Sequence, residues 1–172
     1  MTILQKVIEL TESIPTGVRD NWDDYFMAKA FIASLRSTCG SRRVGAVIVK
    51  DHRLIATGYN GYPSGAKHCI DGGCPRFKAR QEGIIQSGEY VDAYPCHAFH
   101  AEHNAINQCL KDGTSTSGTV LYSTTYPCQQ CAKAILGAGI AKIFYVYGYP
   151  DEQSEMYFKT YGIEIERLGE SN

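Results

Sequence analysis

This 172-residue chain carries almost no net charge, has no long apolar run and shows no internal repeat, low-complexity segment or linker. Each lack excludes something. Seventeen lysines and arginines stand against 18 aspartates and glutamates, for a formal net charge of −1. No basic surface therefore announces a nucleic-acid partner. The longest apolar stretches are far too short to span a bilayer. Lys6, Glu9 and Glu12 interrupt the apolar N-terminal segment, which predicts no signal peptide. The whole chain, 1–172, is expected to form one domain with a proper core. What the chain does have is seven cysteines. Without a secretory signal they point to a reducing, cytoplasmic setting, and to metal ahead of disulfides.

Two short stretches concentrate the chemistry: His100-Ala101-Glu102, and Pro127-Cys128-Gln129-Gln130-Cys131. A catalytic zinc takes three protein ligands and keeps a fourth position for water. His100, Cys128 and Cys131 are the three candidate ligands. A metal-held water ionises near neutral pH, and Glu102 is the candidate group that moves its protons to a ring nitrogen and a leaving amine. Spacing supports these roles. A C-x-x-C pair at a helix start puts two sulfurs one turn apart on one face, and a helix N-terminus favours thiolates. Pro127 fits just before such a helix. His100 and Glu102 likewise open a helix, ahead of Ala105, Ile106, Cys109 and Leu110. Taken alone, the C-x-x-C reads equally as a redox pair or half a structural zinc site. Together the two motifs form H-x-E…P-C-x-x-C, the known signature of zinc-dependent nucleobase deaminases.

Along the chain, Ile3, Leu4, Val7, Ile8 and Leu10 predict a helix over 3–14, ended by Pro15 and Gly17. Asp20 is the expected cap of a second helix, whose apolar positions Trp22, Tyr25, Phe26, Phe31, Ile32 and Leu35 are expected in the core or a subunit contact. Val44–Val49 is a continuous β-branched run, as in a central strand covered on both faces. Asp51 and His52 make a tight turn into Arg53–Tyr59, with His52 an ordinary exposed turn residue. Asn60 to Gly65 is a cluster of turn formers, readable as a plain loop or as backbone that approaches a ligand. Further on, a strand at 119–123, a helix at 128–136, a strand at 142–147, a helix from Pro150 and Asp151 to about Thr160 and an edge strand at 163–168 follow. That order predicts a three-layer α/β/α sandwich around a mixed five-stranded sheet. Both motifs then fall at helix starts beside strand ends, where such folds place their sites.

Residues of about 61–96 interrupt this pattern as a long insertion, weakly patterned from 66 to 95. Cys109 lies on an apolar helix face, as buried filler. Cys39, Cys69, Cys74 and Cys96 remain, and four such ligands make a structural zinc site that would pin a segment with little core of its own. His68 or His97 are possible substitutes. The bland alternative is four unpaired thiols.

From about Trp22 to Leu168 the chain resembles the deoxycytidylate (dCMP) deaminases, within the cytidine-deaminase-like superfamily. The resembling pieces are Tyr25-Phe26-Met27-Ala28, Arg36-Ser37-Thr38-Cys39, Val44-Gly45-Ala46-Val47-Ile48-Val49, Gly58-Tyr59-Asn60-Gly61, His100-Ala101-Glu102-His103-Asn104-Ala105-Ile106 and Pro127-Cys128-Gln129-Gln130-Cys131-Ala132-Lys133. The resemblance implies hydrolysis of dCMP to dUMP and ammonia, feeding thymidylate synthesis, with Zn2+ on His100, Cys128 and Cys131 and Glu102 as proton shuttle. It implies activation by dCTP and inhibition by dTTP, an allosteric nucleotide near Gly58, Tyr59, Asn60 and Gly61, and a hexamer. It places Asn60 by the sugar or a bound nucleotide and the Ala101 backbone by the cytosine carbonyl. Arg36, Arg43 and Tyr149 are the candidates to hold the phosphate. The competing readings are deamination of tRNA adenosine, which neutral charge and the insertion disfavour, deamination of a free nucleoside or base, and a zinc-stabilised binding module, which an intact Glu102 disfavours.

Overall fold

The apolar run at 44–49 lies at the centre of the molecule. In the computed structural model, which describes residues 1–86, 89–148 and 150–169, it becomes strand β1, Gly45–Lys50, buried along its length except at Lys50. Ahead of it stand helices α1 (Ile3–Ser13) and α2 (Trp22–Ser34). After it come β2 (Arg53–Tyr59), α3 (Pro75–Gln81), α4 (Ala101–Lys111), β3 (Val120–Thr125), α5 (Gln129–Gly137), β4 (Lys142–Tyr147), α6 (Glu152–Thr160) and β5 (Glu164–Arg167). The sheet order is β2-β1-β3-β4-β5. β1 pairs antiparallel with β2 and β3, while β3, β4 and β5 run parallel. This is the mixed five-stranded sheet expected from the sequence.

Alternation along the strands divides the core in two. Ala46, Ile48, Leu121 and Ile143 face α4, α5 and α6. Val47, Val49, Tyr122 and Phe144 face Phe26, Met27 and Ala30 of α2. Helices on both faces make the three layers, and explain why β1 reads as unbroken apolar sequence. Phe26 is 2% exposed, so truncating it to alanine would cost about 3–5 kcal/mol. The other expected apolar positions divide: Phe31 is half-buried against this cluster, while Trp22, Tyr25, Ile32 and Leu35, the last at the C-cap, remain exposed. The cap of α2 is Asn21, not Asp20, through its side chain and the Asp24 N–H at 2.8 Å.

The β1–β2 turn holds Asp51 and His52 at φ +48° and +57°, the geometry that suits a two-residue hairpin. His52 is exposed as expected and also stacks on Trp22, with ring centroids 4.7 Å apart. Gly58 has a stricter reason. A Cβ there would lie 2.1 Å from the Ala101 carbonyl oxygen and 2.5 Å from the Ala105 nitrogen. Only glycine lets β2 come this close to the first turns of α4.

The weakly patterned insertion contains a short 3-10 turn, Cys69–Asp71, and the seven-residue α3. The sequence pattern does not reveal α3 because the helix is short and its cap is Cys74, whose sulfur accepts the Phe77 N–H at 3.4 Å. A cysteine is outside the usual set of capping residues.

Candidate active site

Strand β3 ends at Thr125 and the chain turns through Pro127 into α5, with Cys128 as its N-cap. His100 is the N-cap of α4. Neither side chain caps its own helix, so both are free to turn toward a common centre. Cys131, one turn into α5, completes it. His100 Nδ1 lies 3.3 Å from the sulfurs of both Cys128 and Cys131. The three ligand atoms all fall within 4.8 Å of one another, the one such group of three or more metal-binding side chains among the described residues. It runs from solvent inward: His100 is exposed, Cys128 half-buried and Cys131 buried.

Glu102 sits beneath this group, 3% exposed. Its Oε1 accepts from Ser123 Oγ at 3.1 Å and its Oε2 from the Cys131 thiol at 3.4 Å. Burial pushes its pKa above the ordinary carboxylate range, against the opposing pull of its own backbone N–H and His100. The cysteines split. The Cys131 thiol's hydrogen bond holds Cys128 down at about 3, helped by His100. Cys131 is pushed up by its bond to Cys128 and by burial. The bond to Cys128 raises the pKa of His100. Two cysteine sulfurs and one histidine nitrogen on a single centre are the donors that a zinc ion takes, displacing the protons they carry. Two sulfurs and one nitrogen, open on one side, suit a borderline-soft catalytic zinc.

The cavity over this centre is lined by His100, Ala101, Glu102 and Cys128, and also by Asn60, Thr125 and Tyr126. Ala101 belongs to the first turn of α4, whose backbone N–H groups lack helical partners. Asn60 spends its amide on the chain: Oδ1 accepts the Val44 N–H at 2.8 Å, and Nδ2 donates to the Arg42 carbonyl at 3.1 Å. Arg36 and Arg43 are exposed and neither lines the cavity. Tyr149 lies outside the described residues. The cations that do line it are Arg42, Arg76 and Arg80. One sequence signal for the last two exists: they stand at i and i+4 on α3, hence on one face.

Cys39, Cys69, Cys74 and Cys96 line the same cavity. The Cys74 sulfur interacts with Tyr62, Cys96 and Cys69, and Cys39 acts on Cys69. Gly40 N–H donates to Cys69 sulfur at 3.4 Å. Their sulfurs are gathered less tightly than the His100 set. His68 turns to Thr38 Oγ1 at 3.2 Å, and the backbone N–H of His97 donates to Tyr62 Oη at 3.3 Å.

A buried carboxylate under a His-Cys-Cys centre, carried on two helix starts beside a mixed sheet, defines a zinc hydrolase of the deaminase type. Residues 20–147 match the family described as the cytidine and deoxycytidylate deaminase zinc-binding region, and the chain belongs to that family. ComE operon protein 2 of Bacillus subtilis is 40% identical over 151 residues, covering 87% of this chain and 72% of that protein. The deoxycytidylate deaminase of Saccharomyces cerevisiae is 39% identical over 152 residues, 88% of this chain, which spans 46% of that longer relative. Among solved structures, the dCMP deaminase of cyanophage S-TIM5, in complex with dCMP and dUMP, matches with a TM-score of 0.69 at 27% identity, over 88% of this chain and 99% of that one.

Proposed function

We infer that this chain hydrolyses dCMP to dUMP and ammonia, supplying dUMP for thymidylate synthesis. The observation that carries this is the buried Glu102 carboxyl set against His100, Cys128 and Cys131 at the base of one cavity. These three side chains would hold zinc, which supplies an activated water when bound. The chain's own part is proton handling. Glu102, whose pKa burial raises, takes one proton from water and delivers it to the pyrimidine ring nitrogen, then carries the second, from the hydroxyl added to the ring carbon, to the departing amine. Ser123 fixes one carboxylate oxygen, and the other lies against the Cys131 sulfur, on the side of the metal centre. The N–H of Ala101, at the first position of α4 where a helix offers no partner, suits the cytosine carbonyl. Asn60 has a second Nδ2 hydrogen for the sugar.

The same proposal takes in the rest of the family pattern. The chain acts as one domain, 1–172, with 61–96 as its insertion. dCTP activates and dTTP inhibits, through Gly58, Tyr59, Asn60 and Gly61. What supports this is the strapping of that loop to the catalytic helix: Gly61 and Phe99 exchange backbone hydrogen bonds of 3.1 and 2.9 Å next to His100, and Asn104 Nδ2 donates to the Tyr59 carbonyl at 2.7 Å. A hexamer accounts for the exposed Trp22, Tyr25, Ile32 and Leu35. A second, structural zinc on Cys39, Cys69, Cys74 and Cys96 accounts for the thiol cluster around Cys74. All seven cysteines are free, which supports a cytoplasmic setting.

One panel assay tests the substrate: dCMP, cytidine, deoxycytidine and tRNA, each with and without dCTP and dTTP. dCMP is expected to be consumed at least about 10-fold faster than deoxycytidine, since a charge-assisted contact to its phosphate is worth that much. Faster use of deoxycytidine would sink the reading.

A further inference from the structure

We propose that Arg80, carried into the active site by the insertion, is the residue that selects a phosphomonoester substrate, with Arg76 and Arg42 beside it. The proposal rests on the dCMP reading and adds which side chains meet the phosphate. Four observations converge on it.

First, all three arginines line the cavity that holds His100 and Glu102. Second, none of them has a carboxylate partner: the ion pairs among the described residues are Lys78 with Glu82 and Lys142 with Glu164 and Glu166. Three uncompensated guanidinium groups around one concavity attract an anion. Third, Arg80 is oriented but unfinished. Its Nη1 donates to Ser41 Oγ at 2.9 Å, while its Nε is buried and has no partner. A buried guanidinium N–H without an acceptor is costly, and a phosphate oxygen is the acceptor its planar fork matches. Fourth, Arg76 is held in place by neutral groups. Its Nε donates to the Tyr94 carbonyl at 3.2 Å and its guanidinium lies 4.5 Å from the centre of the Tyr90 ring. Its charge remains available. Arg42 is fixed through its backbone, whose carbonyl accepts from Asn60.

The plainer role for Arg80 is a stitch that ties α3 to Ser41. The two roles separate on substrates that differ only by the phosphate. In Arg80→Gln, kcat/KM for dCMP should fall roughly 10- to 100-fold, the range of a lost charge-assisted contact, while kcat/KM for deoxycytidine falls less than about threefold. Arg80→Lys, which keeps the charge and loses the fork, should lie between. Binding gives a second readout without turnover: by calorimetry, wild-type protein should prefer dUMP to deoxyuridine, and Arg80→Gln should erase most of that preference. Equal losses on both substrates, matched by Ser41→Ala, would establish the stitch and overturn the proposal. So would an undiminished dCMP preference in Arg80→Gln. A wild-type chain that already treats dCMP and deoxycytidine alike would instead overturn the substrate reading itself, before any arginine is changed.

Discussion

Cys128 and Cys131 stand where a central strand feeds a helix; Cys69 and Cys74 stand on a segment that contributes no strand at all. The first pair inherits its geometry. β3 is hydrogen-bonded on both sides, to β1 and β4, and α5 packs Ala132 and Ile135 into the core. His100 is likewise held by a helix whose first turns press against Gly58. The result is three ligand atoms within 4.8 Å. The insertion lacks such support, and its three cysteines gather only around Cys74, with Cys39 reaching them through Cys69. A rigid scaffold pre-forms a site; a segment with little core depends on what it binds to hold its shape.

The sharpest way to break this comparison is at Glu102. Glu102→Gln keeps the size and buried hydrogen-bonding capacity of the side chain but cannot take a proton. Turnover of dCMP should fall by about 10^2- to 10^4-fold, with zinc content unchanged by elemental analysis. Wild-type turnover in this variant would remove the carboxyl from the mechanism. Lost zinc would show that Glu102 shapes the metal centre as well.

A paired experiment sets the two cysteine groups against each other. The intact protein should carry two zinc ions per chain. Cys128→Ser should retain one and lose nearly all turnover, because a ligand of the catalytic centre is gone. Cys74→Ser should also retain one, the catalytic ion, and lose stability first. If the insertion then forfeits about 2 kcal/mol, Tm falls by roughly 4–8 °C for a chain of this size. The KM for dCMP should rise, because Cys74 caps the helix that carries Arg76 and Arg80. One zinc per chain in the fully loaded wild type would end the second site and leave the insertion to be held by packing alone.

The same contrast explains what was legible in the sequence. The catalytic group could be read because each ligand sits at a helix start, where proline, residue spacing and the following apolar positions all agree. β1 could be read because burial on both faces leaves an unbroken apolar run. The hairpin turn was visible in Asp51 and His52, whose φ values are positive as that turn requires. The phosphate candidates were harder to place. Arg42 and Arg43 are neighbours, and which one turns to the cavity is decided by loop backbone held by Asn60, a contact 18 residues away. Helix α3 carries no serine, threonine or aspartate cap, and seven residues are too few to show a period. The arginines it delivers therefore stayed hidden until tertiary structure brought them to the cavity.

Helix α1 marks the far end of this scale. Its period was plain, and Thr2 and Gln5 form a complete capping box, yet none of its residues is buried. A helix with good local signals and no packed face gains little from the rest of the chain. Removing residues 1–14 should change Tm by less than about 2 °C, since no core contact is lost, and should leave dCMP turnover within about twofold. Calorimetry and a steady-state assay would check both, with the mass in solution measured alongside. A larger fall in Tm, together with a smaller mass, would mean that Ile3, Leu4, Ile8 and Leu10, all exposed in the single chain, are covered by a second copy. The stability of α1 would then reside in the assembly, with the apolar stripe as its contact.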